Sequence, residues 1–182
     1  MILDFFLQTR EAKRALEQTR SRLYRVAYSW CHSPALADDL VQETLAKALK
    51  KSSQLRDPRA RDAWLFTILA NCYRDHFRRQ RDTDDIDEIE ISIDVTPETE
   101  TSSAEIVGMV RATIARLPEG QRQVVTLVDL EGFSYVEVAQ ILEVPIGTVM
   151  SRLCRARNAM KAMLLPEFQK DPAIVRNIRR IK

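Results

Sequence analysis

Thr148, Ser151, Arg152 and Arg155 recur at three- and four-residue steps and so share one face of a helix. Two hydroxyls and two guanidiniums in a stripe suit phosphate contacts together with hydrogen bonds to base edges in a major groove. A solvated basic helix face would carry the same residues, so the surrounding sequence has to decide. A second group lies upstream, where Trp64, Phe66, Tyr73 and Phe77 interleave with Arg74, Arg78, Arg79 and Arg81. Aromatic faces beside guanidiniums are what a single nucleic-acid strand needs, a surface for each base and a partner for each phosphate. Taken without context, Trp64 and Phe66 read more simply as core. A third group, Asp39, Gln42 and Glu43, is on spacing alone a solvated polar face. Catalytic metal chemistry finds little support: His32 and His76 have no partner at metal-ligand spacing, and Asp38 and Asp39 do not supply one. The Asp75-His76 dipeptide points two ways on a helix, and no cofactor is implied.

The elements that must position these groups are helices. LEGFSYVEVAQILEVPIGTVMSRLCRAR, Leu130 to Arg157, reads as two short helices joined by a tight turn. Gly132 closes the preceding helix, and Ser134 stands three residues before Glu137, the spacing of a capping box. Val138, Ala139, Ile141 and Leu142 supply the buried side of the first helix. Val144-Pro145 opens the second, with proline in the first turn, and Ile146, Val149, Leu153, Ala156, Met160 and Leu164 form its apolar stripe.

Upstream, Leu16, Leu23, Ala27 and Trp30, with Tyr24 and Tyr28 beside them, predict a helix over about 10–31. Ser33-Pro34 opens the next, with Leu36, Leu40, Val41, Leu45, Ala48 and Leu49 inside. Its acids fall early and its lysines late, as the helix dipole prefers. Asp57-Pro58 starts a third helix reaching about Arg81, with Leu65, Ile68, Leu69, Cys72 and His76 as its buried line. Residues 82–105 hold ten acids and no base, an acidic, Ser/Thr-rich tether in which the Ile86–Val95 series can order against a partner. A helix resumes near Glu105, with Ile106, Val107, Val110, Ile114 and Leu117 inside. Pro118 ends it, and Val124, Val125, Leu127 and Val128 drive another helix toward Gly132. The tail, 166–182, is basic and receives no function.

The net charge of +2 hides an uneven distribution. Lys+Arg minus Asp+Glu is 16 − 9 = +7 for residues 1–81, 0 − 10 = −10 for 82–105, and 12 − 7 = +5 for 106–182. Two basic blocks around an acidic bridge suggest two nucleic-acid-facing modules. Only four glycines, with abundant Ala, Leu, Arg, Glu and Gln, favour an all-α protein of two small helical domains joined by a flexible acidic linker. Cys31, Cys72 and Cys154 form no Cys-x-x-Cys pair and read as reduced thiols. No run approaches the roughly 20 apolar residues of a membrane span, so the expected location is cytoplasmic.

The motifs DDLVQETLAKAL, AWLFTILANCYRDHFRRQR and LPEGQRQVVTLVDLEGFSYVEVAQILEVPIGTVMSRLCRAR resemble those of bacterial sigma factors of the extracytoplasmic-function group. The resemblance covers about residues 16–165. It implies a non-enzymatic transcription initiation factor that works with RNA polymerase, which performs the chemistry. Domain 1–81 would bind core polymerase, at the clamp helices of its largest subunit, through Asp39, Gln42 and Glu43. The same domain would recognise and melt the promoter −10 element, with Asn71 holding a flipped-out base and Trp64, Tyr73, Arg74 and Arg78 flanking the strand. Linker 82–105 would thread through polymerase. Domain 106–165, the helix-turn-helix, would bind −35 duplex through Ser151, Arg152, Arg155 and Thr148, with Ser134 and Tyr135 near the backbone. An anti-sigma factor is an implied partner. Two residues depart from the family pattern: Glu143 stands where glycine is usual, and Met150 where a basic residue is common. A stand-alone helix-turn-helix repressor or activator is the competing reading. It accounts for 130–157 and leaves the basic-aromatic helix without a task.

Overall fold

The computed structural model describes residues 10–52, 55, 57–83 and 102–170. Among these every regular element is helical, and they gather into two compact units. The first holds α1 (Arg10–Cys31), α2 (Pro34–Lys50) and α3 (Arg61–Thr83). The second is built on α4 (Ser102–Ala115), α5 (Glu119–Val125), α6 (Tyr135–Leu142) as far as Ala139, with 140–142 grouping with the first unit, and α7 (Ile146–Lys170). No helix among the described residues is long and apolar enough to cross a membrane.

In the first unit α2 packs against both α1 and α3. Leu23, Val26, Ala27 and Trp30 of α1 are fully buried, while Tyr24 and Tyr28 stack with centroids 6.2 Å apart and stay half-exposed. His32 ends α1 with φ +54, its amide donating to the Tyr28 carbonyl at 2.8 Å. Ser33 then caps α2, accepting the Leu36 amide at 3.3 Å, with Pro34 in the first turn where no N–H is needed. The buried line of α2 is Ala37, Leu40, Val41, Thr44 and Ala48. This corrects the expected one: Leu36 and Leu45 are half-buried, and Leu49 is 54 % exposed. Hydrophobicity favoured the leucines, but Thr44 can be buried because its hydroxyl donates to the Leu40 carbonyl at 2.7 Å. Helix α3 is preceded by a 3-10 turn at Pro58–Ala60, where Asp57 accepts the Arg59 amide at 2.9 Å. Leu65, Phe66, Ile68, Leu69 and Cys72 are its core residues; His76 is only half-buried.

In the second unit α7 packs against α4 and α5. Leu117, Val124, Leu127, Phe133, Val138, Val149, Leu153 and Ala156 are buried. Between α5 and Gly132 the helix widens into a π turn, Thr126–Leu130. Its register shows in the Glu131 amide, which donates to the Thr126 carbonyl five residues back at 3.1 Å, while the Thr126 hydroxyl donates to the Arg122 carbonyl at 2.6 Å. Gly132, with φ +78, then reverses the chain. Besides the start of α3, at Arg61 rather than Pro58, three boundaries differ from the sequence reading. Helix α3 continues to Thr83, α4 begins at Ser102, and α7 runs through Pro166 to Lys170 rather than stopping before it. Ile146 of the expected apolar stripe is 45 % exposed, because it lies at the very start of α7. The Leu16 side chain, the Ile86–Val95 series and the tail beyond 170 lie outside the described residues.

Candidate nucleic-acid interface

Two helix faces carry the candidate residues. On α3, Trp64, Asn71 and Arg78 are seven residues apart, two helical turns each, and Arg74 lies beside them on the same face. Trp64 and Asn71 are half-exposed; Arg74 and Arg78 are exposed. Arg78 reaches Asp75 at 3.1 Å, which holds it against its own helix while leaving most of it in solvent. Tyr73 is a correction. It lies on the opposite side of α3, 4 % exposed, with its hydroxyl donating to the Trp30 carbonyl at 3.3 Å. Its ring meets Trp30 edge-on at 5.4 Å and Phe77 at 4.6 Å. No ring face is left for a base, so Tyr73 supports the helix from beneath. Phe66 is likewise core, with the Arg22 guanidinium 5.6 Å above its ring.

Arg22 also pairs with Asp62 at the first turn of α3. Burial raises the Asp62 carboxyl pKa, but the hydrogen bond and charge of Arg22, helped by Arg61, outweigh it and hold the group below the usual carboxylate range. On α2, Asp39 and Gln42 face outward as expected. Glu43 does so only in part, since it is half-buried and bonded to Lys47 at 2.9 Å. That bond raises the Lys47 pKa.

On the second unit, the buried positions Val149, Leu153 and Ala156 turn the opposite side of α7 outward. Ser151 and Arg155 are exposed there and Thr148 is half-exposed. The Ser151 hydroxyl donates to the Thr148 carbonyl at 3.1 Å, which leaves its oxygen as an acceptor. Arg152 departs from the expected free position. It is half-buried, and its guanidinium lies over Gly120 so closely that a Cβ there would meet Cζ at 2.9 Å. A glycine in the first turn of α5 thus makes room for an arginine on α7.

The capping box at the start of α6 is formed. The Ser134 amide donates to Glu137 Oε2 at 2.8 Å, the Ser134 hydroxyl donates to the same oxygen at 2.7 Å, and the Glu137 amide donates back to Ser134 Oγ at 3.3 Å. The Ser134 side-chain and backbone hydrogen bonds hold the Glu137 carboxyl below its ordinary pKa. The same bonds commit the Ser134 hydroxyl, which limits what it can offer a phosphate. Tyr135, 37 % exposed, borders a notch of about 270 Å³ with Met150, Leu153, Cys154, Arg157 and Asn158. Arg157 spans Asp129 of the π turn with contacts of 2.6 and 3.1 Å. This Asp129 hydrogen bond raises the guanidinium pKa further above its ordinary value.

Sequence reasoning missed Arg122, which is 5 % exposed and donates from Nη1 to the Ala115 carbonyl at 3.1 Å, closing the end of α4. The signal was present: Arg122 falls on the buried line with Val125 and Thr126. Among the described residues no cluster of three or more His, Cys, Asp or Glu side chains could hold a metal.

Residues 15–83 match the family model for Sigma-70 region 2, and residues 108–160 that for Sigma-70, region 4. The ECF RNA polymerase sigma factor EcfG of Rhodopseudomonas palustris is 38 % identical over 136 residues, 74 % of this chain and 75 % of that protein. The chain belongs to the ECF sigma factors of RNA polymerase. This sigma factor is also 35 % identical over 140 residues to the ECF sigma-E factor of Haemophilus influenzae, covering 70 % of this chain and 74 % of that one. Its fold matches RpoE of Bartonella quintana, solved with the anti-sigma factor NepR, at TM-score 0.65 and 29 % identity. That match covers 86 % of this sigma factor and 98 % of RpoE. CnrH, solved with the cytosolic domain of CnrY, matches at TM-score 0.56 and 25 % identity, covering 87 % and 91 %.

Proposed function

We propose that this sigma factor directs core RNA polymerase to promoters by reading duplex with α7 and capturing a melted strand on α3. The observation that carries the reading is the α3 face, where Trp64, Asn71 and Arg78 repeat every two turns beside Arg74. That face supplies an aromatic ring, an amide able to pair with a base edge, and two guanidiniums for phosphates. A base held by Asn71 must leave the stack, which costs a few kcal/mol and calls for specific replacement contacts. On α7, Ser151 and Arg155 address the −35 duplex, flanked by Thr148 and by Arg152 at the edge beside Gly120. Tyr135, and Ser134 to a lesser degree, lie near the duplex backbone. On α2, Asp39 and Gln42, with Glu43 steadied by Lys47, form the contact to the clamp helices of the polymerase largest subunit.

The chain itself acts by differential binding, in the cytoplasm, and polymerase supplies the covalent chemistry. Its partners are core polymerase, promoter DNA and an anti-sigma factor; the last is supported by the related sigma factor RpoE, solved with the anti-sigma factor NepR. Run-off transcription with core polymerase on a pool of promoter fragments tests the reading. Initiation should depend on this chain and fall at least about tenfold for Asn71→Ala, the loss of hydrogen bonds to a sequestered base. No stimulation on any fragment, with tight polymerase-independent binding to duplex, would instead identify a stand-alone helix-turn-helix regulator.

A further inference from the structure

The outward side of α7 is divided lengthwise. One row, Thr148, Ser151 and Arg155, can hydrogen-bond. The other, Met150 and Cys154 one turn apart, offers a thioether and a thiol, both weak hydrogen-bonding groups. Met150 is 53 % exposed and Cys154 is also exposed, its sulfur receiving only a 3.7 Å contact from Asn158. With Tyr135 they border the notch of about 270 Å³. The cation at that notch, Arg157, is already spanned by Asp129. An apolar row thus runs beside a hydrogen-bonding row on the basic block, 12 Lys+Arg against 7 Asp+Glu in residues 106–182.

A major groove presents donors and acceptors along every base pair and just one apolar group, the C5-methyl of thymine. A guanine, adenine or cytosine edge set against Met150 would lose water from a polar atom and gain no partner for it. Thymine instead buries its methyl against the flexible thioether, which adapts its shape to the contact. We propose that Met150, backed by Cys154, selects a thymine in the −35 duplex through its C5-methyl group, next to the bases reached by Ser151 and Arg155. The inference rests on α7 being the −35 reading helix.

The test uses this chain with core polymerase on promoters selected from a pool randomised across the −35 element. Each thymine of the selected element, on either strand, is then replaced by deoxyuridine, which removes the methyl and nothing else. At one thymine the affinity of the promoter complex should fall about fourfold, the worth of one buried methyl. Met150→Ala should show a similar loss on the thymine duplex and almost none between thymine and deoxyuridine, because both changes delete one contact. Selected elements without thymine, tolerance of deoxyuridine at every position, or an undiminished deoxyuridine penalty in Met150→Ala would each overturn the selection by Met150 while leaving −35 reading intact. Failure of the chain to support any initiation would instead overturn the −35 reading, and this inference with it.

Discussion

Replacing Glu143 by glycine should stabilise the C-terminal unit. Glu143 follows the last residue of α6 with φ +55, the left-handed region. The Val144 amide donates to the Ala139 carbonyl at 3.0 Å, the six-to-one bond of a Schellman ending, which requires a left-handed residue between them. An L-residue there pays roughly 1–2 kcal/mol, whereas glycine pays none. Glycine gives back about 0.5–1 kcal/mol through the greater freedom of the unfolded chain. The net gain is therefore about 0.5–1 kcal/mol. Charge is a confounder, because Glu143 lies between the end of α6 and the start of α7, whose dipoles act on it with opposite sign. Glu143→Ala removes the same side chain but keeps the strained φ, so the glycine–alanine difference isolates the backbone. Both tryptophans, Trp30 and Trp64, lie in the N-terminal unit, so fluorescence follows that unit alone while far-UV circular dichroism follows both. The transition seen only by dichroism should rise by about 2–8 °C in Glu143→Gly over Glu143→Ala. Equal midpoints would refute the argument that this turn stores strain.

Two further substitutions probe how the second unit is held. Glu137 has a depressed folded-state pKa, so its stabilisation is present above the unfolded value, about 4.3, and is lost as pH falls through the folded one. Denaturation of wild type and Glu137→Gln should therefore differ most at neutral pH and converge as the pH falls through the depressed folded-state pKa. A gap that stays constant with pH would remove the carboxylate charge from the account. Arg122→Met keeps most of the buried volume but deletes the donor to the Ala115 carbonyl, and should destabilise the unit by about 2 kcal/mol in urea titrations. An unmoved midpoint would show that the carbonyl finds another partner.

Much of the fold was legible because local signals agreed with one another. Ser33-Pro34 and Ser134 to Glu137 each marked a helix start, and the apolar periods gave the helix order. The discrepancies have a common source, since sequence period gives an apolar stripe but not which edge of it meets a neighbour. In α2 that edge was decided by packing between α1 and α3, which drew in Thr44 and left Leu49 outside. The π turn at Thr126–Leu130 was invisible for a similar reason. The hydroxyl–carbonyl bond of Thr126 at its start is one that Thr44 and Thr113 also make inside regular helices, so it does not mark the widening, and the contact of Asp129 with Arg157 joins positions 28 residues apart.

The candidate site divides along the same line. Interleaved aromatics and arginines in residues 64–81 gave the chemistry but not the face, and Tyr73 shows the difference. Two residues from Asn71, it is turned by about 200° on a helix and lands against Trp30, whereas Arg78, seven residues away, returns to Asn71's side. Spacing therefore ranks the candidates before any neighbour is known: 64, 71, 74 and 78 share a face, and 73 does not. The same rule applied to α7 separates Ser151 and Arg155 from the buried Val149, Leu153 and Ala156, and leaves Met150 and Cys154 outside. What it cannot supply is the contact of Arg152 with Gly120, which depends on where α5 crosses α7. A helix face can be read from its own period, but the reach of a long side chain at its edge belongs to the helix beside it.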